Sequence, residues 1–371
     1  MKLSPLNQRR WRNFKANRRA YWSLILFSLL YILSLGAELI ANDKPLLMKY
    51  RGEYYAPIFR FYAEREFGGI AGTQALYAQK DVQCLILSGG LEDCLYEEPE
   101  EMLAEIAEKG SVLGTPVTEP GWMIWPPIPY SYTTAVETGG PVPSPPTAQN
   151  LLGTDEASRD VLALVIYGFR LSVTFALIVT ALNAVFGVIA GAVQGYFGGR
   201  IDLIFQRLIE LWSSVPSLYV IIIVTAALGK GFWLMVAMMV LFGWTGLVGV
   251  VRAEFLRARN FEYVRAAKAL GVSDWQIMRR HMLPNAMVAT LTMMPFLVTG
   301  TIAGLASLDY LGFGLPSSAP SLGALTRQAQ GNLHQPHLAW VAFGVFALML
   351  SLLVFIFEGV RDAFDPRKTF K

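Results

Sequence analysis

Three histidines, two cysteines and one Gly-Lys pair are the residues of this 371-residue chain that invite a search for chemistry. His281, His334 and His337 are not placed for a metal or a catalytic triad, and neither HExxH nor GxSxG occurs. Gly229-Lys230 is followed by another glycine and lacks the spacing of a phosphate loop. Cys84 and Cys94 have no His or Cys neighbour of the kind a metal site needs. In an oxidising compartment they can pair as a disulfide, and otherwise they stay two thiols. No catalytic residue, metal or bound cofactor is therefore expected. What remains is EYVRAAKALGVSDWQIMRRHMLPN at 262–285, a polar and basic phrase between segments too apolar for water. Its chemistry is recognition: short alanine side chains that can enter a groove, ringed by positive charge.

The elements that must position this phrase are membrane helices. With 54% hydrophobic and only 16% charged residues, the composition lies outside that of soluble domains. Apolar runs at 20–37, 171–199, 211–229, 231–251, 282–308 and 338–357 each approach or exceed the length that crosses hydrocarbon as helix. Backbone groups have no water to bond inside a bilayer, so the expected fold class is an all-α polytopic membrane protein with six transmembrane helices. A charged start, an apolar stretch and SLGAEL imitate a secretory signal, but the apolar run is nearer a span than a signal core.

Charge orients the chain. Residues 1–19 hold seven bases and no acid, whereas 42–160 hold eighteen acids against eight bases. The positive-inside bias places both termini in the cytoplasm, with Arg361, Arg367, Lys368 and Lys371 at the C-terminal end, and residues 42–160 outside in the periplasm. Loop 252–281 then faces inward and connection 309–337 outward. Glu38, Glu210 and Glu358 stand at span ends, and no span carries an ionisable group in its centre. Proton- or sodium-coupled carriers usually need such groups, so a partner is expected to supply the energy.

Three regions follow: 1–41, the N-terminus and first span; 42–150, an external insertion; and 151–371, a five-helix core with its cytoplasmic loop at 252–285. Within the insertion, 43–96 mixes aromatics and charges, 97–109 spells a short acidic helix, and nine prolines between 116 and 146 predict an extended strap rather than helix or strand. Its Trp122, Trp125, Tyr130 and Tyr132 suit packing at a membrane interface better than substrate contact. Thr154 or Asp155 is expected to cap an elbow helix on the membrane surface, with Val161, Leu162, Leu164, Val165 and Ile166 as its apolar positions. Gly187, Ala190, Gly191, Ala192 and Gly195 in the second span, and Gly243, Gly246 and Gly249 in the fourth, suit close helix packing, or else a pore lining. Pro216 and Pro295 are candidate kinks.

Inside loop 252–285, Glu262–Leu270 favours helix, Gly271 stops it, and Ser273-Asp274-Trp275-Gln276 reads as a capping box that opens a second helix ending before Pro284. Ala266, Ala267 and Ala269 form a narrow face, surrounded by Arg257, Arg259, Arg265, Lys268, Arg279 and Arg280. A basic loop resting on anionic lipid has the same composition. The phrase itself resembles the cytoplasmic loop of ATP-binding-cassette importer permeases, with pattern Glu-Ala-Ala, three residues, Gly, nine residues, Ile, one residue, Leu-Pro. Here Arg265, Ala266, Ala267, Gly271, Leu283 and Pro284 occupy it; Arg265 replaces the leading acid, and Glu262 stands close enough to substitute in part.

Two further phrases resemble the dipeptide, oligopeptide and nickel group of that family. LGTDEASRD carries Gly153, Thr154, Asp155, Arg159 and Asp160, with Ser158 where glycine is usual. LDYLGFGLPSSAPSLGALTRQAQ carries Leu311, Gly312, Gly314, Pro316 and Gly323, with Leu322 in place of tryptophan. The acidic insertion resembles the Yej-type branch, whose cargo is microcin C and related peptides. The resemblance implies a binding-protein-dependent peptide importer: this chain, a second homologous permease, ATPase subunits that hold ATP and magnesium, a periplasmic binding protein, a peptide cargo and surrounding lipid, but no nucleic acid. A stand-alone channel or secondary carrier, and a membrane receptor or assembly subunit, are the rival readings.

Overall fold

The computed structural model describes residues 5–364 apart from 97, 113, 114 and 118. Arg367, Lys368 and Lys371 lie outside the described residues. The chain divides into two compact units, one of 33–167 and one of 1–32 with 168–371. A basic helix α1 (Pro5–Ala16) leads into α2 (Arg18–Leu35), which begins with two arginines and continues almost wholly apolar.

The unit 33–167 mixes short elements: α3 (Ala37–Ile40), β1 (Leu47–Tyr50), β2 (Glu53–Tyr55), α4 (Lys80–Ser88), α5 (Pro99–Lys109), β3 (Ser111–Val112), β4 (Thr115–Pro116) and β5 (Trp122–Ile124). Strand β1 lies between β2 and β5, antiparallel to both. Met48 and Tyr50 on one face of β1 join Phe67, Tyr77, Val82 and Ile86 in an aromatic-rich core. The strap thus contains a strand that the proline count argued against. Between Pro120 and Pro126 the chain has five residues free of proline, enough for β5 to pair without losing a donor. Trp122 packs edge-on to Tyr54, and Tyr132 packs against Tyr167, both inside this unit. Cys84 and Cys94 form a disulfide beneath Leu85, Met102 and Val112, joining α4 to the turn that follows it. Helix α5 turns Met102, Leu103 and Ile106 to the same small core.

The other unit is helical. Helix α6 (Val161–Phe197) runs for 37 residues, about 55 Å at helical rise. No break separates an elbow from the span: Val161–Ile166 is simply its first turns, because nothing between Asp160 and Phe197 removes a backbone donor. Helices α7 (Gly199–Ser213) and α8 (Ser217–Leu228) meet at a 64° bend. Pro216 sets it, since its ring and missing N–H end α7 and its carbonyl starts α8 by accepting from Tyr219 N at 3.1 Å. Then come α9 (Phe232–Gly243), α10 (Thr245–Ala258), α11 (Glu262–Ala269), α12 (Asp274–Gln276), a π turn over Ile277–Met282, α13 (Leu283–Tyr310), α14 (Leu322–Gly331) and α15 (Pro336–Phe364). The helix that starts at Asp274 does not stop before Pro284 but continues to Tyr310. A wider π turn just before the proline leaves room for the ring and re-pairs the carbonyls that a proline cannot serve.

Among the described residues, four helices are long and apolar enough to cross a membrane, or five if the bent pair counts as one. The protein is a mostly helical, polytopic membrane protein. Helix α6 packs on α10 through glycines one turn apart. A Cβ would stand 2.7 Å from Trp244 O at Gly187, 2.8 Å from Val248 O at Gly191 and 2.5 Å from Arg252 O at Gly195. Only hydrogen fits there, so this stripe is a helix contact. Of the glycines expected to pack in the next span, Gly249 has nothing within 4 Å and Gly246 meets only Leu297 at 3.9 Å, whereas a Cβ at Gly243 would stand 2.4 Å from Asn183 Nδ2 of α6, so only Gly243 packs closely.

Candidate functional site

Loop 252–285 is a helix hairpin held against the ends of α6 and α10. Helix α11 turns Val264 and Ala267 inward, where they join Tyr196, Val251, Phe255, Ile277, Met278 and Met282 in one core. Gly271, at φ +74°, closes α11: its N–H donates to Lys268 O at 3.0 Å, and Val272 N donates to Ala267 O at 3.1 Å. Ser273 occupies the next cap position, but its side chain makes no capping bond, so the expected capping box is absent. Asp274 instead accepts a hydrogen bond from the Tyr196 hydroxyl at the end of α6. The Lys268 ammonium sits 4.6 Å from the centre of the same Tyr196 ring. Behind these contacts, Arg252 of α10 donates to both oxygens of Asp202 on α7 at 2.5 and 2.7 Å. None of these ties was singled out from sequence, because the partners are 50 to 78 residues apart.

The outward surface differs from the alanine face expected above. Ala267 is 8% exposed and belongs to the core, whereas Ala266, Ala269, Arg265, Lys268 and Glu262 are exposed. Leu270 at 83% and Trp275 at 67% exposed stand beside them, with Phe261 and Tyr263 also open. Leu283 is half-buried against the core and Pro284 is exposed. The hairpin therefore exposes apolar side chains, Ala266, Leu270 and Trp275 among them, together with Arg265 and Lys268, backed by packed side chains. Such a surface can bind a groove and pass its displacement to α6 and α10.

The motif Gly153–Asp160 folds into a clamp. Thr154, Asp155 and Asp160 are buried. Asp155 accepts from Arg159 Nε at 2.9 Å and Nη2 at 2.6 Å, and from Arg159 N at 2.8 Å. The cap of α6 is Asp160, not Thr154 or Asp155: its Oδ1 accepts from Ala163 N at 2.8 Å and its Oδ2 from Asn150 Nδ2 at 2.8 Å. Gly153 takes φ +75°, and Ser158 holds φ +61° with its hydroxyl donating to Val136 O at 2.5 Å. Replacing Asp160 with alanine removes the cap and strands the buried Asn150 amide. We expect Asp160→Ala to cost about 2 kcal/mol, read as a lower melting temperature in detergent.

The second motif closes the far end of α13. Asp309, buried in the last turn, accepts from Leu315 N at 2.6 Å and Ser321 Oγ at 2.5 Å, while Ser321 caps α14 through Ala324 N at 3.1 Å. Gly312 is left-handed at φ +82°. A Cβ at Gly314 would lie 1.8 Å from Asp309 Oδ1, and one at Gly323 would lie 2.3 Å from Ala306 O. Leu311 is exposed and Pro316 half-buried on the same turn. Asp309 and α14 went unrecognised from sequence; the one signal was an isolated acid in a connection nearly free of charge.

This bundle, with its inward-braced hairpin, matches known proteins. Residues 183–370 match the family described as "Binding-protein-dependent transport system inner membrane component". Residues 4–57 match "N-terminal TM domain of oligopeptide transport permease C". The chain is 49% identical to the peptidoglycan transport system permease protein YejE of Agrobacterium fabrum, over 100% of this chain and 95% of that one. It is 50% identical to the inner membrane ABC transporter permease protein YejE of Escherichia coli K12, over 99% of each. Similarity to the dipeptide transport system permease protein DppC of Bacillus subtilis is 33% over 60% of this chain and 70% of that one. The chain belongs to the family of binding-protein-dependent transport system inner membrane components. It is a transport subunit of the permease class, not an enzyme.

Proposed function

We propose that this chain is one permease subunit of an ATP-driven importer for short peptides, free or derived from peptidoglycan. The observation that carries the reading is the exposure of Ala266, Leu270 and Trp275 on a hairpin backed by the buried Val264 and Ala267 and tied through Tyr196 and Asp202 to the long helices. In this reading the hairpin docks on a separate ATPase that holds ATP and magnesium, and nucleotide-driven closure of the ATPases swings α6–α10 between inward and outward access. The relatives' names, which specify dipeptide, oligopeptide and peptidoglycan transport, support the cargo class.

A second homologous permease completes the pathway, and a periplasmic binding protein meets residues 309–337 and the insertion 42–150. Both termini are cytoplasmic and 42–160 periplasmic, in keeping with the charge asymmetry. Helix α2 supplies the sixth span: its Trp22, Leu29, Ile32 and Leu33 face outward, while Phe27 and Tyr31 contact Phe169 and Thr174 of α6. Its place in a match described as an N-terminal TM domain supports that assignment.

A cysteine at position 266, cross-linked in the purified membrane complex, tests the reading by mass spectrometry of the captured chain. Capture of a nucleotide-binding subunit is the expected result. An accessible loop that captures no ATPase would turn the assignment towards a channel or receptor.

A further inference from the structure

A groove of about 360 Å³ lies where α1 crosses the ends of α2 and α15, lined by Trp11, Phe14, Leu24, Ile356, Val360 and Phe364, with Asn7 and Arg10 at its rim. Its walls are apolar and its rim is polar and cationic. Helix α1 is fixed there: the Arg10 guanidinium stands 4.4 Å from the centre of the Phe364 ring, and Trp11 stacks on Phe14 at 5.6 Å. At Gly359 a Cβ would meet the Ala20 Cβ at 2.2 Å and the Phe14 ring at 2.9 Å, so α1 and α2 press directly on the backbone of α15. Helix α15, long and apolar enough to span a membrane, and the largely apolar α2 thus form the floor. The rim belongs to a stretch, residues 1–19, with seven bases and no acid. Trp11, 43% exposed, lines the groove, a placement that tryptophan favours at a bilayer surface.

We infer that this groove binds an anionic glycerophospholipid of the leaflet beside α1, its phosphate at Arg10 and an acyl chain between Leu24 and Ile356. The chemistry selects an amphiphile: a free phosphate would use the rim and leave the apolar floor in water, and a neutral lipid would use the floor and forgo the charge. A cytosolic polypeptide would have to bring acidic and apolar groups to a surface already flanked by bilayer. Bound there, the lipid staples α1 to the end of α15. The inference rests on the membrane-spanning assignment of α15 and not on the identity of the cargo.

The test is native mass spectrometry of the full-length protein released from nanodiscs of phosphatidylcholine mixed with phosphatidylglycerol. The wild type should retain phosphatidylglycerol in preference. Arg10→Ala should lower that retention about tenfold, as loss of one charge-assisted contact implies. Leu24→Trp, which fills the floor, should remove lipid of both kinds. Melting temperature provides a second readout: the wild type should melt higher in the mixed bilayer than in pure phosphatidylcholine, and Arg10→Ala should not. Equal retention of the two lipids by the wild type, or unchanged retention in both variants, would overturn the site, as would cross-linking from position 11 to a cytosolic polypeptide in place of lipid.

Discussion

Gly195→Leu is expected to prevent accumulation of folded protein, whereas Gly249→Leu should not. At Gly195 the first added carbon would already meet Arg252 O and the Phe255 Cβ, both at 2.5 Å. Neither can withdraw, since one is helix backbone and the other is anchored in the core with Val251 and Met282. Helix α6 must then move off α10, and the Asp202–Arg252 pair beside the contact separates with it. Overpacking in a well-filled core costs about 1–3 kcal/mol where side chains can adjust. A backbone-to-backbone clash exceeds that range, and the unpaired ions add to it. Gly249 meets nothing within 4 Å in the same α10, so leucine there should leave the isolated chain stable and gain helix propensity of about 0.8 kcal/mol. Size-exclusion profiles and melting curves of the detergent-solubilised chain check both. Equal behaviour of the two variants would show that the glycine contact does not organise the bundle.

Ala266→Trp should abolish substrate uptake, by tenfold or more in any transport assay that resolves it, without changing the melting temperature of the chain. Ala267→Trp should lower the melting temperature itself. The two alanines are neighbours on one helix, yet Ala266 points outward and Ala267 sits in the core with Tyr196 and Ile277. Ala266 is exposed, so an indole there projects away from the core and interferes chiefly with what docks on it. At 267 the same indole must displace Val264 or Ile277, at a cost of about 1–3 kcal/mol or more. The check is paired: uptake by proteoliposomes carrying the whole transporter, and thermal melting of the permease alone. Full uptake by well-expressed Ala266→Trp would remove the docking role from this surface. A normal melting curve for Ala267→Trp would show that the hairpin core is loose.

Much of the architecture was legible because membrane helices announce themselves by length and apolar content. The bend at Pro216 and the left-handed Gly271 followed from residues whose backbone chemistry allows few conformations. The extent of α6, the passage through Pro284 and the three-residue β5 were misread from sequence. Helix α6 runs on because no residue in it removes a backbone donor, a proline that usually ends a helix is carried by a π turn, and a proline-rich strap gains a strand because β1 offers it an edge.

The sequence by itself determined that the chain is helical, apolar and charge-asymmetric, and that one basic, alanine-bearing phrase interrupts its apolar segments. Those properties are local, since each is a count or a spacing within a few turns. Tertiary structure decided which alanine of that phrase is buried, which aspartate caps α6, and that Asp309 organises the turn beyond α13. These outcomes depend on side chains brought together from distant positions, such as Tyr196 with Asp274 and Asp202 with Arg252. A helical period shows that a short helix has two faces. Only the partner packed against it decides which face is left for another protein.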